Sequence, residues 1–281
     1  MILPGSATQT LGATLAAETG QELADVAFDR FADGERCPRV KGVESGANVT
    51  VVASTVSDGA HVELLQLQDA AREAGADSVT TVLPYMGYAR QDNAFKPGQP
   101  VSARAVARAI STGTDRVVTV NPHEQSVNEY FDAPATAVDA AGLLATPLGE
   151  LTEPLFLAPD PGARPLAGTV RDSYGRGELD HCEKTRHTDT EVDVEPCEAA
   201  VSGRDVVLVD DIVATGRTMS GAVSHLERDA RQVYVACVHP VLAREAYTRL
   251  RRAGVEAVYG TDTVEHPVSR VSAAPAIAEV L

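Results

Sequence analysis

Short apolar runs, separated by longer stretches in which apolar side chains recur at helical spacing, extend along most of this chain. The apolar runs predict strands over 49–53, 78–83, 116–120, 154–158, 205–209 and 232–238. Residues 62–72 and 219–227 carry apolar positions every three or four residues and predict amphipathic helices. Strands alternating with helices in this way predict a parallel sheet covered by helices, a doubly wound α/β fold. Strand, polar loop, helix and strand recur over 49–84 and again over 206–240, as a true duplication or as the unit that every doubly wound fold repeats. Small residues and Pro147 interrupt the pattern between 139 and 153. Two domains are therefore expected, 1–143 and 144–281, with the last residues packing back on the first. The charged stretch 175–196 has few large apolar residues and is expected to be a loop, a candidate lid.

With 281 residues, 44% of them hydrophobic, the chain is long enough for two domains with proper cores. No apolar run approaches the roughly 18 residues needed to span a bilayer, and the first residues lack the charged and apolar regions of a signal peptide. A soluble, cytoplasmic protein without a membrane partner is expected. Cys37, Cys182, Cys197 and Cys237 are scattered without a Cys-x-x-Cys pair, so neither a zinc site nor a disulfide framework is expected. A formal net charge of -16 argues against nucleic acid as a partner, because phosphate backbones call for a basic footprint. Of 24 basic residues only Lys41, Lys96 and Lys184 are lysines, a lysine-poor acidity that suggests a salt-adapted host in which salt screens the repulsion between carboxylates.

The candidate chemistry follows the apolar run Val206-Val207-Leu208-Val209. That run gives way to Asp210 and Asp211, then to Ala214, Thr215, Gly216, Arg217 and Thr218 before a helix. Ligands of open α/β sheets bind at this carboxyl end. A loop opening a helix offers unpaired N–H groups and the positive end of the helix dipole, so a phosphate can be held there without lysines. The two carboxylates would repel that phosphate if aimed at it; they suit sugar hydroxyls or a magnesium ion. Ribose together with phosphate is the ligand class that fits both halves of the loop. The Gly-x-x-x-x-Gly-Lys-Ser/Thr of P-loops and the Gly-x-Gly-x-x-Gly of dinucleotide folds are not found in it.

Asp210-Asp211-x-x-x-Thr215-Gly216-x-Thr218 behind a hydrophobic strand resembles the phosphoribosyl pyrophosphate motif of type I phosphoribosyltransferases and ribose-phosphate pyrophosphokinases. Phe31-Ala32-Asp33-Gly34-Glu35, Pro84 to Asp92, Asn121-Pro122-His123-Glu124 and Ala158-Pro159-Asp160-Pro161-Gly162 resemble the pyrophosphokinases in order, and Glu183-Lys184-Thr185-Arg186 is similar to the catalytic loop of their archaeal type. The resemblance covers essentially the whole chain. It implies two mainly parallel-sheet domains of the type I phosphoribosyltransferase kind, and transfer of the pyrophosphoryl group of ATP to C1 of ribose 5-phosphate. By the same resemblance Lys184 and Arg186 are catalytic, and Phe31, Asp33, Gly34, Glu35, Arg90 and Gln91 bind ATP. Asp210, Asp211, 214–218 and Arg186 bind ribose 5-phosphate, and His123 and Asp160 bind Mg2+. A neighbouring subunit completes the adenine pocket in the family, which implies a homo-oligomer. Two residues apart, Lys184 and Arg186 share a face only on an extended segment, so a strand-like flap is expected there.

The chain departs from the family pattern in three places. Asn121 stands where many relatives have Asp, removing a charge near the metal. Arg217 occupies a position that is often Gly, where an unusual backbone angle would carry a steric cost. Asn93-Ala94-Phe95 replaces a more charged sequence, so ATP contacts beyond Asp92 are not carried over. Two rival readings are a nucleobase phosphoribosyltransferase, which does not account for Arg90-Gln91-Asp92 or 183–186, and a non-catalytic regulatory homologue, against which Lys184, Arg186, His123 and Asp160 count.

Overall fold

The structure, a computed structural model, describes residues 1–182, 184–186, 192–194, 200–226 and 229–281, with 184–186 and 192–194 described by their backbone alone. The chain divides into two compact units, one of residues 1–139 with 262–265 and 272–281, the other of residues 140–261 with 266–271.

The first unit begins with β1 (Ile2–Pro4), α1 (Gln9–Thr19) and a hairpin of β2 (Asp25–Arg30) and β3 (Arg36–Lys41). It continues through β4 (Asn48–Val52), α2 (Asp58–Glu73), β5 (Ser78–Leu83), α3 (Ser102–Ser111), β6 (Arg116–Val120) and β7 (Ala135–Val138). Strands β1, β4, β5, β6 and β7 pair in that order, all parallel, while β2 and β3 pair with each other antiparallel. Val49, Val51, Val79, Leu83 and Val117 pack with Leu64, Leu67 and Ala71 of α2 and Ala103, Ala107 and Ile110 of α3. Helix α2 starts where Ser57 caps it, its hydroxyl accepting the N–H of Ala60. Its buried Glu63 pairs with Arg36 of the hairpin and accepts the N–H and hydroxyl of Ser6, so the hairpin is tied to the helix by a satisfied charge.

The second unit holds β8 (Leu155–Ala158), α4 (Arg164–Tyr174), β9 (Glu178–His181) and an antiparallel pair of β10 (Lys184–Arg186) and β11 (Val192–Val194). There follow β12 (Asp205–Ile212), α5 (Arg217–Leu226), β13 (Gln232–His239), α6 (Ala246–Arg252), β14 (Val255–Thr261) and β15 (Ser269–Val271). The sheet order is β15-β14-β13-β12-β8-β9, again parallel throughout. Helix α7 (Ala274–Ala278) belongs to the first unit, where it packs on α1.

Both units share one plan: a strand, an excursion containing a two-stranded hairpin, then four parallel strands in chain order. Strand β9 is an addition in the second. Stretch 175–196, expected to be irregular, supplies that edge strand, while the β10–β11 pair agrees with the extended backbone expected at Lys184 and Arg186; residues 183, 187–191 and 195–199 lie outside those described. Strand β12 also runs past the predicted Val209 to Ile212, whose partner on β13 is His239. Cys37, Cys182 and Cys237 are free thiols; Cys197 is outside the described residues.

At the other end of β12, Asp205 is fully buried and accepts the Thr152 N–H at 2.7 Å and an Arg231 N–H at 2.6 Å. Removing a buried carboxylate that satisfies two donors costs about 2–4 kcal/mol. Asp205→Ala is expected to lower unfolding free energy by about that amount in denaturant titrations, and Asp205→Asn, whose carbonyl oxygen can take the place of Oδ2 for both donors, by clearly less. Equal stability of Asp205→Ala and the parent protein would contradict this.

Candidate active site

In the second unit the candidate loop is built on the two central strands. Asp160 follows β8, and Asp210 and Asp211 form the end of its neighbour β12, so the parallel pairing itself gathers three carboxylates. Asp211 donates its N–H to Asp210 Oδ1 at 3.0 Å, and Ile212 donates its N–H to Asp211 Oδ1 at 2.8 Å. The Asp160 carboxylate accepts the Ala163 N–H and caps the short turn after it. Burial pushes Asp210 well above the usual carboxylate range; the Asp211 charge, a hydrogen bond between the two carboxyls and the Asp160 charge push in the same direction. Burial likewise pushes up the thiol of Cys237, the cross-strand partner of Asp210.

Beyond Ile212 the chain is braced from one side by the segment after β13. Leu242 and Ala243 donate their N–H groups to the carbonyls of Val213 and Ala214, both at 2.9 Å. A trans peptide directs its N–H opposite to its C=O, so the amides of Ala214 and Thr215 point away from that brace. Gly216 then turns with φ +69° in the left-handed region, where a side chain is strained, and α5 starts at Arg217. The first-turn amides of a helix have no partner within it. The loop therefore presents successive donors from 214 to 218, with Thr215 and Arg217 exposed and Thr218 half-buried. Arg217 itself is helical, so the steric cost expected from a side chain at that position does not arise; the unusual angle falls on Gly216. The brace was not legible in the sequence, because it acts through backbone groups that any residue carries.

In the first unit Phe31, Asp33, Gly34 and Glu35 occupy the turn between β2 and β3. Phe31 and Glu35 are joined by a backbone hydrogen bond, and Asp33 accepts the Glu35 N–H. Phe31 is 57% exposed, so its ring stands at the tip of the hairpin and not in the core. Arg90 and Gln91 are exposed beyond β5; Gln91 accepts the Ser102 hydroxyl with Oε1 and the Ala103 N–H with its carbonyl. His123 is exposed just after β6. Asn121 before it has φ +35°, a conformation that Asn tolerates, and donates its side-chain amide to Asp139 at 2.7 Å. Lys184 and Arg186 lie on the extended backbone of β10; their side chains are outside the described atoms.

Among the described residues no three His, Cys, Asp or Glu side chains are grouped so as to hold a metal unaided. Magnesium does not need such a cage, since it keeps several waters and takes one or two carboxylates together with substrate phosphates. Asp210, raised chiefly by burial and further by the charges of Asp211 and Asp160, fits that use together with them, because a divalent cation would relieve the repulsion between the three.

Comparison with known proteins covers nearly the whole chain. Residues 1–113 match the N-terminal domain of ribose phosphate pyrophosphokinase, and residues 126–268 match the phosphoribosyl transferase domain. A ribose-phosphate pyrophosphokinase of Halobacterium salinarum is 62% identical, with all of both chains aligned, and one of Methanosarcina mazei is 46% identical over all of this chain and 94% of its own. The crystal structure of phosphoribosylpyrophosphate synthetase from Mycobacterium smegmatis superposes with a TM-score of 0.84 at 31% identity, covering 99% of this chain and 96% of that one. Two parallel α/β units, a strand-end loop of paired carboxylates and amide donors, and matches along nearly the full length lead to one conclusion: this chain belongs to the ribose-phosphate pyrophosphokinase family.

Proposed function

We propose that the protein transfers the β,γ-pyrophosphoryl group of ATP to the C1 hydroxyl of ribose 5-phosphate, giving 5-phosphoribosyl 1-pyrophosphate and AMP for nucleotide biosynthesis. The observation that carries this reading is the loop after β12, where carboxylates suited to sugar hydroxyls stand directly before a row of amide donors suited to a phosphate. In the reaction the C1 hydroxyl oxygen forms a bond to the β-phosphorus and loses its proton to solvent, while the bond from that phosphorus to the α,β-bridging oxygen breaks, releasing AMP.

Ala214, Thr215, Gly216, Arg217 and Thr218 hold the 5-phosphate, and Asp210 and Asp211 accept hydrogen bonds from the ribose hydroxyls. Phe31 stacks on adenine; Asp33, Gly34 and Glu35 read its polar edge; Arg90 and Gln91 bind the phosphate side of ATP. Lys184 and Arg186 offset charge on the transferred oxygens, and Arg186 also contacts ribose 5-phosphate. Asp160 is the carboxylate proposed for magnesium in the second unit and His123 the imidazole proposed for it in the first. When bound, magnesium supplies neutralisation of the polyphosphate charge and in-line orientation.

No helix among the described residues is long and apolar enough to cross a membrane, and a cytoplasmic homo-oligomer is the form proposed for the active protein. An aromatic ring as exposed as Phe31 agrees with a pocket finished by a second subunit. A nucleobase transferase would leave residues 1–113, matched to the N-terminal domain of the pyrophosphokinases, without a task.

Incubation of ATP and ribose 5-phosphate with magnesium in molar salt is expected to give AMP and phosphoribosyl pyrophosphate in equal amounts. Lys184→Ala is expected to lower kcat by about a hundredfold or more, as loss of a transition-state charge contact does. No AMP from folded parent protein would sink the proposed reaction. Asp211→Ala is expected to raise KM for ribose 5-phosphate by roughly ten- to hundredfold, the loss of a charge-assisted hydrogen bond, with KM for ATP within about twofold. Initial-rate kinetics with each substrate varied in turn measure both, and an equal rise in the two KM values would contradict the assignment.

A further inference from the structure

The shared plan of the two units makes β4 the counterpart of β12, and it raises the question of what the first unit does with the loop where the second holds its phosphate donors. There the chain reads Ser54-Thr55-Val56-Ser57 before α2, and the hydroxyls of Ser54 and Thr55 turn inward. Ser54 and Thr55 are each 1% exposed. Ser54 Oγ donates to the Thr263 carbonyl and accepts the Tyr85 N–H at 3.2 Å. Thr55 donates its N–H to the Tyr85 carbonyl at 2.9 Å, and its hydroxyl accepts the Gly87 N–H at 2.8 Å. The loop is thereby bonded to the segment leading from β5 to Arg90.

That segment is held at each step. Gly87 lies so close that a Cβ on it would press into the Thr55 carbonyl oxygen and approach His61 Nε2. Tyr88 adopts φ +64°, which a bulky residue takes only when its surroundings enforce it. Its hydroxyl donates to Asp58 in the first turn of α2 at 2.6 Å, and its ring lies 5.5 Å from that of His61. Gln91 donates its N–H to the Tyr88 carbonyl at 2.9 Å and is fastened to the start of α3 through Ser102 and Ala103.

We infer that Thr55, seconded by the Tyr88–Asp58 hydrogen bond, is a positioning residue for ATP: the first unit's counterpart of the ribose-phosphate loop holds the Arg90-Gln91 segment in the conformation that meets the nucleotide. The inference rests on the proposed assignment of Arg90 and Gln91 to ATP. Thr55→Val keeps the shape of the side chain and deletes the acceptor for Gly87. Initial-rate kinetics on the full-length protein are expected to give a KM for ATP raised about five- to tenfold, with kcat and KM for ribose 5-phosphate within about twofold. Thr55→Ser, which restores the hydroxyl, is expected to return KM for ATP to the parent value. Tyr88→Phe, an exposed change that leaves the core untouched, is expected to raise it about two- to threefold.

Arg90→Ala, measured alongside, separates the two layers of the argument. If Arg90→Ala raises KM for ATP while Thr55→Val and Tyr88→Phe leave it alone, the positioning role is overturned and the site assignment stands. If Arg90→Ala leaves KM for ATP unchanged, the assignment falls and the inference with it. Thr55→Val that lowers kcat and raises both KM values together with a fall in Tm would mark a purely structural residue and also overturn the inference.

Discussion

Parallel pairing is the constraint from which the rest of this structure follows. Strands that run the same way need a crossover between each pair, and all of them finish on one edge of their sheet. Backbone bonds satisfy the strands along their length, so an all-apolar run such as Val206 to Val209 is stable in the middle of the second sheet. Polar chemistry is pushed to the ends. Asp160 and the pair Asp210-Asp211 are brought together because β8 and β12 are neighbours, not because the carboxylates attract one another. Burial raises the pKa of Asp210 most, and repulsion from Asp211 and Asp160 adds to it, so the cluster carries a standing electrostatic cost. A ligand that brings hydroxyls and a divalent cation is the natural relief.

Much of the scaffold was legible in the sequence wherever a run of β-branched and aliphatic residues was long enough. Strands β4, β5, β6, β8, β12 and β13 fall within a few residues of the runs that predicted them. Several features escaped, and some of them did so for plain physical reasons. Strand β1 has only three residues, too few for a period. The hairpin β2–β3 reads Asp-Val-Ala-Phe-Asp-Arg and Arg-Cys-Pro-Arg-Val-Lys, sequences whose charge and proline disfavour a strand until Glu63 of α2 anchors them. In β12 the acidic pair resembled a strand end, yet the ladder to β13 carries the extended backbone through it.

The candidate loop was legible because its residue types are unusual together: two carboxylates behind an apolar strand, then Thr-Gly-x-Thr at a helix start. What surrounds it was not. The brace from Leu242 and Ala243 uses main-chain groups, and the ties of Thr55 to Gly87 and Tyr85 join residues 30 or so apart by bonds that no short motif encodes. Side chains that touch a ligand leave a signature of type and spacing; groups that hold those side chains in place leave one only when the fold is known.

Residues 262–265 and 272–281 belong to the first unit, where Glu265 accepts the N–H groups of Thr10 and Leu11 at the start of α1. A carboxylate at that place complements the positive end of the helix, and α1 has no acidic residue of its own in its first turn. On a ribosome these partners are made far apart in time: α1 emerges before the second unit, and the segment that caps and covers it only after most of that unit. The second unit can acquire its whole sheet while the first still waits for its final pieces. Vectorial synthesis thus runs against the spatial order of this molecule, and the half made first is the half completed last.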